Sequence, residues 1–350
     1  LWPGARYTTS DRRRAIERGL RFLQRFARDP DNFEAFGDDL TWWFGASADS
    51  FKDPAHARAA RRFGLECARR WRASHPVLPA RADADTVVTY LSGDQAANTF
   101  GLRDPALNEQ IRLAAARFTA RDFLKFDPLS EPPPSDLPDK CDRCRATTNA
   151  RGAKVCRVCK HGLKMRSRYD VWCEALINTY VGERGGVTLG ARYRDVLRWL
   201  PSMRPYPSGR PHDPDFYDAV YAVTHVVYTL NDYTAFRLSP RLLPDEFAFL
   251  KANLRHAIAL KDGDMLGEFM DSLKAFGLTL DDPDLRAGTA YLLARQNPDG
   301  SWGDVKEKDL YLRYHAVMTA INGLADYSLR REGPNPPELR PLLEEWAGAR

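Results

Sequence analysis

The sequence predicts an all-α protein, an α/α toroid of about six helical hairpins interrupted by one small Cys-rich insertion. Three observations predict it. Apolar residues recur at helical 3.6-residue spacing from "RRRAIERGLRFLQRFA" to "LRPLLEEWAG", while strand-like alternation is sparse. Gly, Pro, Asp and Asn break these segments at "DPDNF", "RDPALN", "RPHDPDF", "DDPDL" and "QNPDGSWGD". One local pattern then returns five times. Asp94, Glu174, His225, Glu268 and His315 each have Tyr or Asp one turn before (Tyr90, Asp170, Tyr221, Asp264, Tyr311). Each also has a small polar residue one turn after (Asn98, Asn178, Thr229, Ser272, Thr319).

The five positions are separated by 80, 51, 43 and 47 residues. The long first interval holds a Pro- and Cys-rich segment of roughly 40 residues, and removing it leaves about one ordinary repeat. A sixth, degenerate copy falls at "DDLTWWFGASADSF". Paired helices repeated in this way close naturally into a ring of inner and outer helices. The expected organisation is residues 1–126 as the first part of the toroid, 127–166 as the insertion, and 167–350 as the remainder.

The bulk numbers fit a folded chain. With 43% hydrophobic and 28% charged residues in 350, disorder is not expected to describe most of it. No apolar run approaches the roughly 20 residues of a membrane helix. Net charge is +5 with a pI near 8.8, yet basic and acidic residues are interspersed, and the most basic run, "CRVCKHGLKMRSR", is short. Nucleic acid is therefore not an expected partner, since phosphate recognition gathers positive charge on one face. A small-molecule substrate is. The first residue is Leu rather than Met, which fits export with a removed leader, whereas Cys-x2-Cys pairs fit the reducing cytoplasm.

Equivalent inner-helix positions of a toroid converge on its cavity. Glu174, His225, Glu268 and His315 offer the nitrogen and oxygen donors that hold iron, zinc or manganese, so a second metal is expected there. Asp94 would be a further ligand or base. Tyr221 and Tyr311, on the same helical face, would orient ligands or touch substrate. The bland alternative is a set of hydrogen-bonded polar residues in a wet cavity.

In "KCDRCR" and "VCRVCK", Cys141, Cys144, Cys156 and Cys159 form two Cys-x2-Cys pairs eleven residues apart, resembling the paired knuckles of zinc ribbons. Four thiolates make a closed structural zinc site. Two disulfides are the competing reading in an oxidising compartment, and His161 is a nearby substitute ligand.

"RAGTAYLLARQNPDGSWGD" resembles the QW motif of squalene–hopene cyclases and related terpenoid cyclases, through Arg286, Ala287, Tyr291, Leu292, Gln296, Gly300 and Trp302. "RGLRFLQRFARDPDNF" matches its first half. The resemblance implies an α/α toroid in which this motif ties outer helices together. "DLYLRYHAVMTAINGL" resembles the inner helix of protein prenyltransferases that carries a zinc-binding His, implying a ligand at His315. "RADADTVVTY" resembles the Asp-rich motif of class II terpenoid cyclases, implying Asp85 as the acid that protonates an alkene or epoxide, with Asp83 beside it. The same Asp residues also read as a helix cap.

The expected function is a metal-dependent enzyme acting on a small, largely apolar substrate by oxidative or hydrolytic chemistry. The alternatives are a metal-independent isoprenoid cyclase using Asp85, an (α/α)6 carbohydrate-active enzyme, and a non-enzymatic binding protein.

Overall fold

In a computed structural model of the chain, the described residues are 7–147, 149–207, 214–329 and 331–348. The expected breaks at residues 210–213 and the start of the chain at 1–6 lie outside them. The protein is predominantly helical. Its helices are α1 (Thr9–Arg28), α2 (Pro30–Ser50), α3 (Pro54–Ser74), α4 (Ala84–Asn98), α5 (Pro105–Ala115), α6 (Ala120–Leu124), α7 (Arg168–Gly185) and α8 (Tyr193–Leu197). They continue with α9 (Leu200–Met203), α10 (Pro214–Leu230), α11 (Pro244–Leu260), α12 (Gly263–Ala275), α13 (Pro283–Arg295), α14 (Leu310–Leu324) and α15 (Arg340–Gly348). Two short strands, β1 (Phe236–Arg237) and β2 (Arg331–Glu332), pair in parallel.

The Asp-Pro breaks act as helix starts. Asp29, Asp53 and Asp282 accept hydrogen bonds from the first free N–H groups of α2, α3 and α13, while Pro30, Pro54 and Pro283 occupy the first turn, where a missing N–H costs nothing. Each such cap contributes about 1 kcal/mol. Thr8 and Asp11 form a reciprocal capping box on α1.

The chain divides into two compact units, one made of Leu1–Ile111 with Val227–Arg350, the other of Arg112–Val226. The first unit is a two-layer array of hairpins. One layer sets α12, α14, α2 and α4 side by side; the other sets α11, α13, α1 and α3, each helix packing on its own hairpin partner and on its neighbours. The last hairpin of the chain, α13–α14, thus lies against the first, α1–α2. The core between the layers includes Leu20, Leu23, Leu40, Phe44, Phe269, Leu292, Val317 and Ile321, all buried.

The turn from Asn297 to Trp302 fastens that junction. Gln296 donates to the Ala15 carbonyl of α1 at 2.8 Å and to Gly300 O at 3.1 Å. Trp302 is buried and donates from its indole to Leu292 O at 2.8 Å. Arg18 and Arg25 of α1 reach the carbonyls of Asn297 and Asp299. Truncating a buried indole of this kind costs about 3–5 kcal/mol.

In the second unit, α7 packs on α6 and α8. Trp172 anchors it through an indole bond to Val196 O at 2.8 Å. The Cys-rich segment 127–166 belongs to this unit, and its described residues form no helix.

Candidate functional site

Two clusters concentrate chemistry, one on the helices of the first unit and one in the Cys-rich segment. The first is built where α12 and α14 approach most closely. A Cβ on Gly267 would come within 2.4 Å of the Thr319 backbone, so only glycine permits this contact. The approach carries Asp264, in the first turn of α12, to Nδ1 of His315 on α14, at 2.9 Å. Thr319 Oγ1 donates to the same carboxylate at 2.8 Å. The other ring nitrogen of His315 stands 3.8 Å from Oε1 of the buried Glu268. The helix N-terminus favours Asp264 as the anion.

α2 completes the cluster. A break in helical geometry at Phe36 lies two residues before Asp38 and three before Asp39, and Tyr314 donates its hydroxyl to Asp39 at 2.7 Å. Tyr311 stacks on the His315 ring at 4.8 Å between centroids, and Phe36 packs on Tyr314 at 4.9 Å. Tyr311 is 43% exposed, so the aromatic side of the cluster opens to solvent.

These surroundings set the protonation states. Burial works against a charged His315, but the carboxylates of Asp264, Glu268 and Asp39 outweigh it and raise the imidazole to about 9. Burial, and then the adjacent Asp39, push Asp38 up to about 6. Burial and the neighbouring carboxylates drive the Tyr314 phenol far above its ordinary range. At neutral pH His315 is therefore an imidazolium, and Asp38 on α2 is mostly ionised but titrates within reach of neutrality.

The other positions of the repeat find different partners. Asp94 is completely buried, with Oδ1 2.6 Å from Arg72 Nη1, while Gln95, Asn98 and Asn108 donate to Oδ2. These contacts tie α3, α4 and α5 together around the Asp94 carboxylate. Glu174 pairs with Arg166 at 2.6 Å, and the same guanidinium reaches Asp170. His225 places Nδ1 2.8 Å from the carbonyl of Tyr221 one turn back. Both lie in the second unit, whereas Glu268 and His315 lie in the first. Asp83 caps α4 by accepting from Thr86 N at 2.9 Å, and Asp85 is exposed on that helix's first turn.

Among the described residues, one group of three or more His, Cys, Asp or Glu has all its ligand atoms within 4.8 Å of one another: Cys141, Cys144, Cys156 and Cys159. The segment makes the same turn twice. Arg145 N bonds Cys141 O at 2.8 Å, and Lys160 N bonds Cys156 O at 2.9 Å. Both Arg145 and Lys160 take φ of 62°, which lets each chain double back after its second cysteine. The Sγ atoms of Cys141 and Cys159, and of Cys144 and Cys156, are 3.5 Å apart. A disulfide would need about 2.05 Å, whereas tetrahedral zinc with Zn–S near 2.3 Å separates sulfurs by about 3.8 Å.

The donor set fits a metal ion such as zinc, and the four thiols are free of disulfides. Backbone N–H of Cys159, against the opposing effect of burial and together with Val158 N–H, lowers Cys156 to about 6, while, against the backbone N–H of Ala146, hydrogen bonds with the neighbouring thiols raise Cys144 to about 12, so within the set one thiol is favoured as the thiolate at the expense of the other. His161 faces Asp142 at 3.2 Å instead of joining the set. Four sulfur ligands would leave a bound metal no open position for substrate.

No protein-family model matches the chain, and neither the curated proteins nor the solved structures contain a match to it. No helix among the described residues is long and apolar enough to cross a membrane.

Proposed function

We propose that the chain is an enzyme of the α/α-toroid type whose reacting centre is the α2–α12–α14 cluster and whose chemistry is proton transfer on a small, largely apolar substrate. One observation carries the reading: His315 is fixed through Nδ1 on Asp264 while its second nitrogen is directed toward Glu268, under an exposed aromatic lid. The toroid reading is supported, within the first unit, by the packing of the last hairpin on the first. In this scheme the His315 imidazolium is the general acid, Asp264 fixes its orientation, and Glu268 holds its charge. Asp38 is the base, and the rings of Tyr311 and Phe36 receive the apolar body of the substrate.

The test is a screen of small esters, epoxides and isoprenoid compounds, followed by kcat/KM against pH. The expected profile is a bell with limbs near 6, where Asp38 loses its proton, and near 9, where His315 loses its own. Asp38→Asn and His315→Gln lower kcat/KM by about 10²-fold or more with helical content unchanged. A flat profile over that interval, or full activity in both variants, refutes the proposal.

A second reading rests on the 3.8 Å between Nε2 and Glu268, too long for a hydrogen bond, in a cluster richer in carboxylate than in imidazole. Iron, zinc or manganese held by Glu268 and His315, with Asp264 orienting the ring, would supply Lewis-acid or oxidative chemistry. Metal beyond one zinc per chain, lost in Glu268→Gln, selects it.

A further inference from the structure

Away from that cluster, the first unit carries a cleft of about 740 Å³. It is bounded by the turn after α12, by Gly323 near the end of α14, by residues 325–329 and 331–332 beyond it, by Arg12 of α1, by Lys52 and by Arg237 of β1. Its floor is apolar, with Met270, Leu278, Leu280 and Leu285. Its charged lining is unbalanced: Arg12, Lys52, Arg237, Lys274 and Arg331 face two acids, Asp326 and Glu332.

The partners reveal which charges are already spent. Arg12 holds Asp326 through two bonds, at 2.6 and 3.1 Å. Lys274 is turned inward, donating to the carbonyls of Asn322, Gly323 and Ala325 at the end of α14. It lies 4.5 Å over the Tyr327 ring, and burial lowers it to about 8 despite the opposing pull of Asp271 and Asp326. Lys52, Arg237 and Arg331 remain exposed at the rim, with Glu332 beside them.

Arg237 is also positioned. Its guanidinium rests on Gly277, where an added Cβ would come within 2.5 Å of Nε and the backbone φ is +86°, a conformation glycine adopts without strain. β1 and β2 set Arg237 opposite Glu332 and Arg331 opposite Phe236, and the three charged residues all line the cleft.

We infer that this cleft binds an organic anion, an apolar molecule ending in a carboxylate or phosphate, with its body on Met270, Leu278, Leu280 and Leu285 and its head among Lys52, Arg237 and Arg331. The volume lies in the range of small-molecule sites, and an apolar floor with a few convergent polar groups is their usual composition. Three cations around one mouth raise the local concentration of an anion and pair with its head group.

The test is calorimetric titration of the full chain with octyl phosphate, octanoate and octanol. The expected result is one saturable site at which octyl phosphate or octanoate, or both, bind at least tenfold tighter than octanol. Whichever anion binds identifies the head group. The double variant Arg237→Glu/Arg331→Glu should lose at least tenfold for the anion and leave octanol binding and the melting temperature unchanged. Equal affinity for octanol and the anions, no saturable binding by any of the three, or undiminished anion binding in the double variant overturns the inference. The readout is independent of turnover, so its failure leaves the proton-transfer proposal untouched.

Discussion

Chelation of the chain, or Cys156→Ser, is expected to release one zinc per molecule and unfold the segment 127–166 while helical content stays nearly constant. That segment is too short to bury a core of its own, its described residues form no helix, and it would be held by a metal on its four sulfurs and by the bonds at its base, Asp139 N to Lys164 O and Arg166 N to Leu137 O, both 2.8 Å. Apparent binding free energies of structural zinc in small peptides are about 10–16 kcal/mol, so losing the ion removes more than the segment can otherwise supply. Elemental analysis combined with limited trypsin digestion checks this. The wild type should carry one zinc and resist cleavage between residues 140 and 166, and the variant should carry none and be cut there at once. A zinc-free variant that stays resistant contradicts it.

Arg72→Ala is expected to destabilise the first unit by about 3–5 kcal/mol, because it leaves the Asp94 carboxylate buried without its counter-charge. That is a large share of the roughly 5–15 kcal/mol that holds a domain folded. Adding Asp94→Asn should recover part of the loss, since a neutral amide is cheaper to bury than an unpaired carboxylate. Urea melts of wild type, single and double variants measure both steps. An Arg72→Ala cost under about 1 kcal/mol would mean that the pair is of little consequence to the fold.

The helices were legible because their signals are local. Asp-Pro at 29–30, 53–54 and 282–283 specifies a cap and a first turn in two residues, whatever the tertiary context. The Cys-x2-Cys pairs were legible for the same reason, since each turn is made within six residues. The repeat pattern also placed Asp264, Tyr311 and Thr319 next to Glu268 and His315, and these five meet in space.

The pattern said less about who neutralises whom. Arg72 on α3 and Arg166 at the base of the insertion decide the fates of Asp94 and Glu174, yet they stand outside the repeat and are paired with it only by tertiary packing. Asp38 and Asp39 lay in the copy of the repeat that had drifted most, "DDLTWWFG", where an adjacent acid pair looks like any helix start. Its separate meaning comes from the break at Phe36 and from Tyr314 on a distant helix. Asp83 is the helix cap that its sequence allowed, and the resemblance to a cyclase acid motif at Asp85 has an exposed carboxylate beside it.

The proton-transfer account depends on His315 being an imidazolium, hydrogen-bonded to Asp264 and facing the Glu268 carboxylate at 3.8 Å. Its pKa is raised, so the stability it contributes is full below the unfolded value of about 6.5 and is lost as pH climbs through about 9. The most direct measurement is an NMR titration of His315 with ¹⁵N-labelled imidazole, assigned with His315→Gln. The account predicts that the ring stays protonated through pH 8 and titrates near 9, and that Asp264→Asn moves the midpoint down. A ring that titrates near 6.5 in the wild type, or one unmoved by Asp264→Asn, would contradict it.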